Sequence, residues 1–96
     1  MLYAVIRNDK KDHSQLRIDT RPTHLEYLKS LGSKLKFAGP FLNEDGKPNG
    51  TMMVVEAQSK EEVERAAAND PYAKAGLFAD IEIRPWNWVI NNPDAV

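Results

Sequence analysis

Thr51-Met52-Met53-Val54-Val55-Glu56-Ala57-Gln58-Ser59-Lys60-Glu61-Glu62 is the stretch whose reading decides the fold. Its first part is an apolar run of strand formers, which marks a strand from Thr51 to Gln58. Its second part is a capping box, in which the Ser59 hydroxyl and the Glu62 carboxylate, three residues apart, satisfy orphan amides at a helix start. A helix therefore follows, with Val63, Ala66 and Ala67 as its narrow apolar stripe. Asn69-Asp70-Pro71 ends it, because proline pushes the preceding residue out of helical geometry. Asp70 then caps one more turn, Pro71 to Ala75, closed by Gly76. From Ala79 to Trp86, Ile81 and Ile83 alternate with Asp80, Glu82 and Arg84 to give a last strand.

Upstream the same order recurs. Leu2 to Arg7 is a short apolar strand, and Asn8 to Asp19 is a charged loop. Thr20 caps a helix with Pro22 in its first turn, and Leu25, Leu28 and Leu31 recur at helical spacing until Gly32 stops it. Lys34 to Leu42 alternates as a strand. Gly39-Pro40 interrupts it, either to admit a ligand closely or as an ordinary bulge. The turn-rich stretch Asn43 to Gly50 leads back to Thr51. The order βαββαβ predicts an α+β, ferredoxin-like domain over residues 1–96, a four-stranded antiparallel sheet with two helices on one face.

Both faces of that sheet are apolar. Leu2, Ala4 and Ile6 point one way and Tyr3 and Val5 the other, while Met52 and Val54 oppose Met53 and Val55. Two helices cover one face only, and a monomer rarely leaves several hundred Å² of apolar surface bare. The expected cover is a second copy, in a homodimer packed sheet to sheet. The competing cover is the tail from Asn87 to Val96, and Trp86 and Trp88 suit either arrangement.

The composition narrows the chemistry. Ninety-six residues, 42% hydrophobic and 28% charged, fit one globular domain. The absence of cysteine excludes disulfides, thiolate nucleophiles and zinc-thiolate sites. Thirteen basic against fourteen acidic residues give a net charge of −1, which argues against nucleic acid and anionic membranes as partners. No apolar run approaches the roughly 20 residues of a membrane span, and the early charges from Arg7 onward do not form a secretory leader, so a cytoplasmic location is expected. The glycines around Lys47 lack the ending of a phosphate loop, and Asn49-Gly50-Thr51 reads as a turn.

Two histidines remain as acid-base groups near neutrality. His13 sits among the charges of the loop and reads as solvated. His24 falls in line with Leu28 and Leu31 on the sheet-facing side of the first helix, half-buried in its first turn. A helix start favours the neutral ring and a neighbouring carboxylate the charged one. Either setting suits proton transfer, and a purely structural histidine fits the same position. Asp70 reads first as a helix cap. The topology permits a His24 and Asp70 pair without requiring it.

His24-Leu25-Glu26-Tyr27-Leu28, Ala38-Gly39-Pro40, Asn69-Asp70-Pro71-Tyr72, Gly76-Leu77-Phe78 and Glu82-Ile83-Arg84-Pro85-Trp86 together resemble, in order and separation, the signatures of the YCII family. The resemblance covers nearly the whole chain and implies a dimeric α/β barrel, two ferredoxin-like subunits with their sheets face to face. It also implies an active-site histidine and aspartate, which carry over to His24 and Asp70. One relative of this kind is a dehydrochlorinase of a chlorinated hydroxyquinol, and the superfamily includes isomerases, cofactor-free monooxygenases and haem enzymes. The expectation is a small-molecule enzyme in which His24, oriented by Asp70, moves a proton in an isomerisation or elimination on a cyclic or aromatic hydroxylated compound, with no metal or other cofactor. Gly39, Pro40, Tyr72 and Phe78 are the expected pocket walls. The alternatives are a non-catalytic metabolite-binding or regulatory dimer and a structural interaction domain.

Overall fold

A computed structural model describes residues 1–94. Strand β1 (Leu2–Asp9) leads to helix α1 (Ser14–Ser30), a 3-10 turn (Gly32–Lys34), strands β2 (Leu35–Leu42) and β3 (Pro48–Glu56), helices α2 (Lys60–Ala68) and α3 (Pro71–Lys74), and strand β4 (Phe78–Trp86). The strands form one antiparallel sheet in the order β2-β3-β1-β4. The two most apolar strands, β1 and β3, lie in the middle. Pro40 in β2 and Pro85 in β4 sit on edge strands, where a missing N–H need not interrupt a ladder.

The helices cover one face. Tyr3, Val5, Met53 and Val55 are buried there with Ala57, Val63 and Ala67, and Leu28, Leu31, Leu35 and Ile83 pack against them. The register pairs Tyr3 with Val55, Val5 with Met53 and Arg7 with Thr51. The alternation that buries Tyr3 and Val5 therefore buries Arg7 too, and its side chain is wholly inaccessible.

The other face is partly covered by aromatic rings. The Phe37 ring meets those of Trp86 and Trp88 edge-on, at centroid distances of 5.9 and 5.1 Å. They lie at the end of the sheet where Val54, paired with Phe37, is buried. Ala4, Ile6 and Met52, further along that face, stay partly accessible. The tail thus supplies part of the cover through Trp88, while Val89 and Ile90 are exposed and residues 95–96 lie outside the described residues.

Several expected boundaries move. α1 begins at Ser14 rather than Thr20, and β1 runs on to Asp9, so the charged loop shrinks to a turn over residues 10–13. The reason is electrostatic: Asp9 takes the Arg17 guanidinium at 2.7 and 3.1 Å, and Arg17 Nη2 donates to Thr51 Oγ1 at 2.7 Å. Charges that read as solvated satisfy one another beneath the helix. β3 starts at Pro48 and ends at Glu56. Ser59 Oγ accepts from the Glu62 amide at 3.2 Å, but the Glu62 carboxylate takes the Gln58 amide, not that of Ser59. The irregularities of β2 fall between Leu35 and Phe37 and between Phe41 and Leu42, so Gly39 is not a bulge. No helix among the described residues is long and apolar enough to cross a membrane.

Gly50 sets how closely the central strands approach. A Cβ there would lie 2.7 Å from the Arg7 carbonyl oxygen and 3.1 Å from Phe41 Cδ2. Gly50→Ala is expected to cost about 1 to 3 kcal/mol through overpacking, seen as a lower urea midpoint at unchanged slope. An unaltered midpoint would show that the strands accommodate the methyl group.

Candidate functional site

Asp70 caps α3, with backbone angles φ −61° and ψ 128° outside the helix. Its Oδ1 accepts from the Tyr72 amide at 2.9 Å, as a helix cap requires, and also from His24 Nδ1 at 2.8 Å. Its Oδ2 accepts from Arg7 Nη1 at 2.7 Å. Burial pushes the carboxyl upward, but the His24 hydrogen bond, the Arg7 charge and the Tyr72 amide together hold it below the usual aspartate range. Asp70 is therefore ionised at neutral pH and can only accept, so His24 Nδ1 is the donor of their hydrogen bond.

His24 lies in the middle of α1 and not in its first turn, so the helix dipole has little hold on it. It is buried, and its ring stacks on Tyr72 at 3.9 Å with planes 15° apart. The Tyr72 ring also carries the Arg17 guanidinium, 4.8 Å from its centroid. Tyr27, one turn beyond His24, donates its hydroxyl to the Ala66 carbonyl and so ties α1 to α2. Burial first, then the Asp70 charge, pushes the Tyr27 hydroxyl up to about 12, which keeps it a donor throughout the physiological range.

In front of the histidine lies a pocket of about 530 Å³ between α1 and the β2–β3 hairpin. His24, Tyr72, Gly39 and Pro40 line it, with Leu25, Leu28 and Thr51. A side chain at position 39 would project into open space, and its absence leaves the pocket wider. With Nδ1 engaged by Asp70, Nε2 is the histidine nitrogen left without a hydrogen bond among the described residues.

Residues 1–87 match the YCII-related domain. The chain belongs to the YCII family. Protein YciI of Escherichia coli O6:H1 is 32% identical over 97 aligned residues, spanning 93% of this chain and 99% of that protein. Among solved structures, 5-chloro-2-hydroxyhydroquinone dehydrochlorinase from Burkholderia phenoliruptrix AC1100, in complex with 2,5-dihydroxybenzoquinone, is 37% identical with a TM-score of 0.84 over 91% of this chain and 94% of that one. SnoaB, a cofactor-independent oxygenase from Streptomyces nogalater, reaches a TM-score of 0.59 at 8% identity over 95% and 97% of the two chains, a likeness of fold alone. That fold is the one of the dimeric α/β barrel proteins, and the dehydrochlorinase shows that a YCII-like chain can be a small-molecule enzyme.

Four of the six expected site residues of this YCII chain surround the pocket. Asp70 does not line it but stands behind His24, fully buried. Phe78 departs from expectation. Its ring lies under the Arg7 guanidinium, 4.5 Å from centroid to Cζ, and edge-on to Tyr72 at 6.0 Å. It lines a different groove of about 500 Å³, with Ala67, Ala73 and Ile83. The chain reverses between Tyr72 and Phe78, which sends the second aromatic to the far side of α3.

Sequence reasoning missed Arg7 and Arg17. The signal for Arg7 was its parity with Tyr3 and Val5. Arg17 carried none while its segment read as a loop. Arg7 Nε and Nη2 are buried without hydrogen-bond partners, so its charge depends on Asp70 and on the Phe78 ring face. Asp70→Ala is expected to cost about 3 to 5 kcal/mol, since it strands that charge, and adding Arg7→Met should recover part of the loss. Because folding depresses the Asp70 carboxyl, its stabilisation is complete above the unfolded aspartate range near pH 4 and fades as pH falls through the lower folded value. Denaturation midpoints of wild type and Asp70→Asn should converge in acid. A constant gap would contradict the assignment.

Proposed function

We propose that this protein is a small-molecule enzyme in which His24, oriented by Asp70, transfers a proton on a cyclic or aromatic hydroxylated substrate in an elimination or isomerisation. The observation carrying this reading is the buried Arg7–Asp70–His24 chain ending at a pocket-lining imidazole. Ionised Asp70 fixes the tautomer and stabilises the imidazolium that forms, leaving Nε2 as the base. The stacked Tyr72 ring holds the imidazole plane, so little reorientation accompanies transfer. In an elimination from a chlorinated hydroxyquinol, one hydroxyl proton moves to the chlorine-bearing ring carbon to give the keto tautomer. Nε2 then takes a second hydroxyl proton, the electron pair moves through the ring and chloride leaves, so that HCl is lost overall and a quinone remains. The relative acting on 5-chloro-2-hydroxyhydroquinone makes such substrates the first to try.

The test is chloride release from chlorinated hydroxyquinols together with solvent-deuterium incorporation into unchlorinated analogues. His24→Ala should lower turnover by about 10² to 10⁴-fold with the fold retained, the usual contribution of a positioned acid-base group. Turnover that survives at the wild-type rate overturns the assignment.

The assembly is a homodimer through the open sheet face. Ala4, Ile6 and Met52 on that face are partly accessible, and the tail rings leave them uncovered. Ile6→Lys should shift sedimentation from dimer to monomer, because it puts a charge into an apolar contact. A wild-type monomer at micromolar concentration would refute the dimer.

A further inference from the structure

The pocket in front of His24 is electrically one-sided. Arg17, Arg21 and Lys47 line it, and among the described residues no carboxylate does, in a protein whose net charge is −1. Two acids that contact its lining residues are themselves paired: Asp9 holds Arg17, and Asp70 lies behind His24 against Arg7. Arg21 and Lys47 form no ion pair among the described residues and are exposed at the pocket rim. Arg17 differs from them. It is 7% exposed, its Nε and Nη2 are fixed by Asp9 and Thr51, and its Nη1 makes no hydrogen bond among the described residues. Arg17, Arg21 and His24 recur at i, i+4 and i+7 on one face of α1, so the three groups line the same side of the pocket.

From this arrangement we infer that the ligand of the pocket is a small planar organic anion, with its acidic group held by Arg21 and Lys47 beside the fixed Arg17 donor and its ring near His24. The inference rests on the pocket being the reaction site and names the substrate class for it. Asp9 offsets the Arg17 charge, so the uncompensated field comes from Arg21 and Lys47, while Arg17 supplies direction. Leu28, Pro40 and the Tyr72 ring give the apolar walls that a flat carbon ring requires. The field reaches inward as well. At the Tyr72 hydroxyl, burial raises the ionisation range and the Arg17 and Arg21 charges oppose that rise. An anion next to His24 also favours the imidazolium formed on proton transfer, so the same cations that attract the ligand bring the counter-charge the reaction uses.

The test is a titration of matched probes, 2,5-dihydroxybenzoate against 2,5-dihydroxybenzamide and benzoate against benzamide, followed by NMR through the Tyr72 amide and the Arg17 Nε–H. The acids should bind about tenfold tighter than the amides, the ratio one charge-assisted hydrogen bond produces, and the ratio should shrink with added salt. In Arg21→Gln/Lys47→Gln, both at exposed positions, the ratio should fall to within about twofold because acid binding weakens more than amide binding. Equal binding of acid and amide, an acid preference that survives in the double variant, or no perturbation of either reporter at millimolar probe would each overturn the inference. Binding and turnover are read separately. Acid-selective binding without His24-dependent turnover removes the proton-transfer reading and keeps the anion site. His24-dependent turnover of neutral rings without acid preference does the reverse.

Discussion

A single buried carboxylate holds this protein's ends together. Asp70 receives the Arg7 guanidinium from the middle of the sheet, the His24 imidazole from α1 and the Tyr72 amide from the start of α3. Each donor comes from a different element, so the position of α1 on the sheet and of α3 against α1 is fixed at one atom pair. Burial lowers the local dielectric, which makes each bond stronger and each loss more costly than on the surface. The arrangement is asymmetric: two Arg7 guanidinium nitrogens find no acceptor among the described residues, and the Phe78 ring lies against the guanidinium instead. A purely structural core would be served as well by apolar side chains of similar volume. Under the proposed proton transfer the same buried charge also serves the pocket-lining imidazole.

A second polar chain runs beside the first. Asp9, Arg17 and Thr51 join the end of β1 to α1 and β3, and Arg17 reaches the Tyr72 ring on which His24 stacks. Tyr72 is therefore common to both networks, with its amide on one and its ring on the other. The site has an inner wall of paired charges and stacked rings and an outer rim of cations, Arg21 and Lys47, that form no ion pair among the described residues. The two parts have different physical roles. The inner wall fixes geometry, and the rim sets the potential that an approaching ligand meets.

How much of this was legible follows from range. Strand alternation, the Ser59 cap, the Asp70-Pro71 pair and the order βαββαβ depend on neighbours within a few residues, and the structure has each of them. Asp70 as a cap was equally local, and its second role was not. His24 and Asp70 are 46 residues apart, and only the family signatures linked them before the fold did. Phe78 shows the limit of such signatures: it belongs to the motif, yet the reversal after α3 turns it toward Arg7 and away from the pocket.

The sequence by itself determined the element order, the antiparallel sheet, the apolar second face and the family, because periodicity, caps and proline act locally along the chain. Tertiary structure decided where charge goes. Residues 8–19 look like a solvated loop to any local rule, since a run of charges is usually exposed. In the fold Asp9 and Arg17 find each other under α1, and that pairing turns most of the loop into strand and helix. Arg7 is buried for the same reason, because its partner arrives from 63 residues away. Burial of a charge is decided by its counter-ion, and the counter-ions here are brought in by the fold.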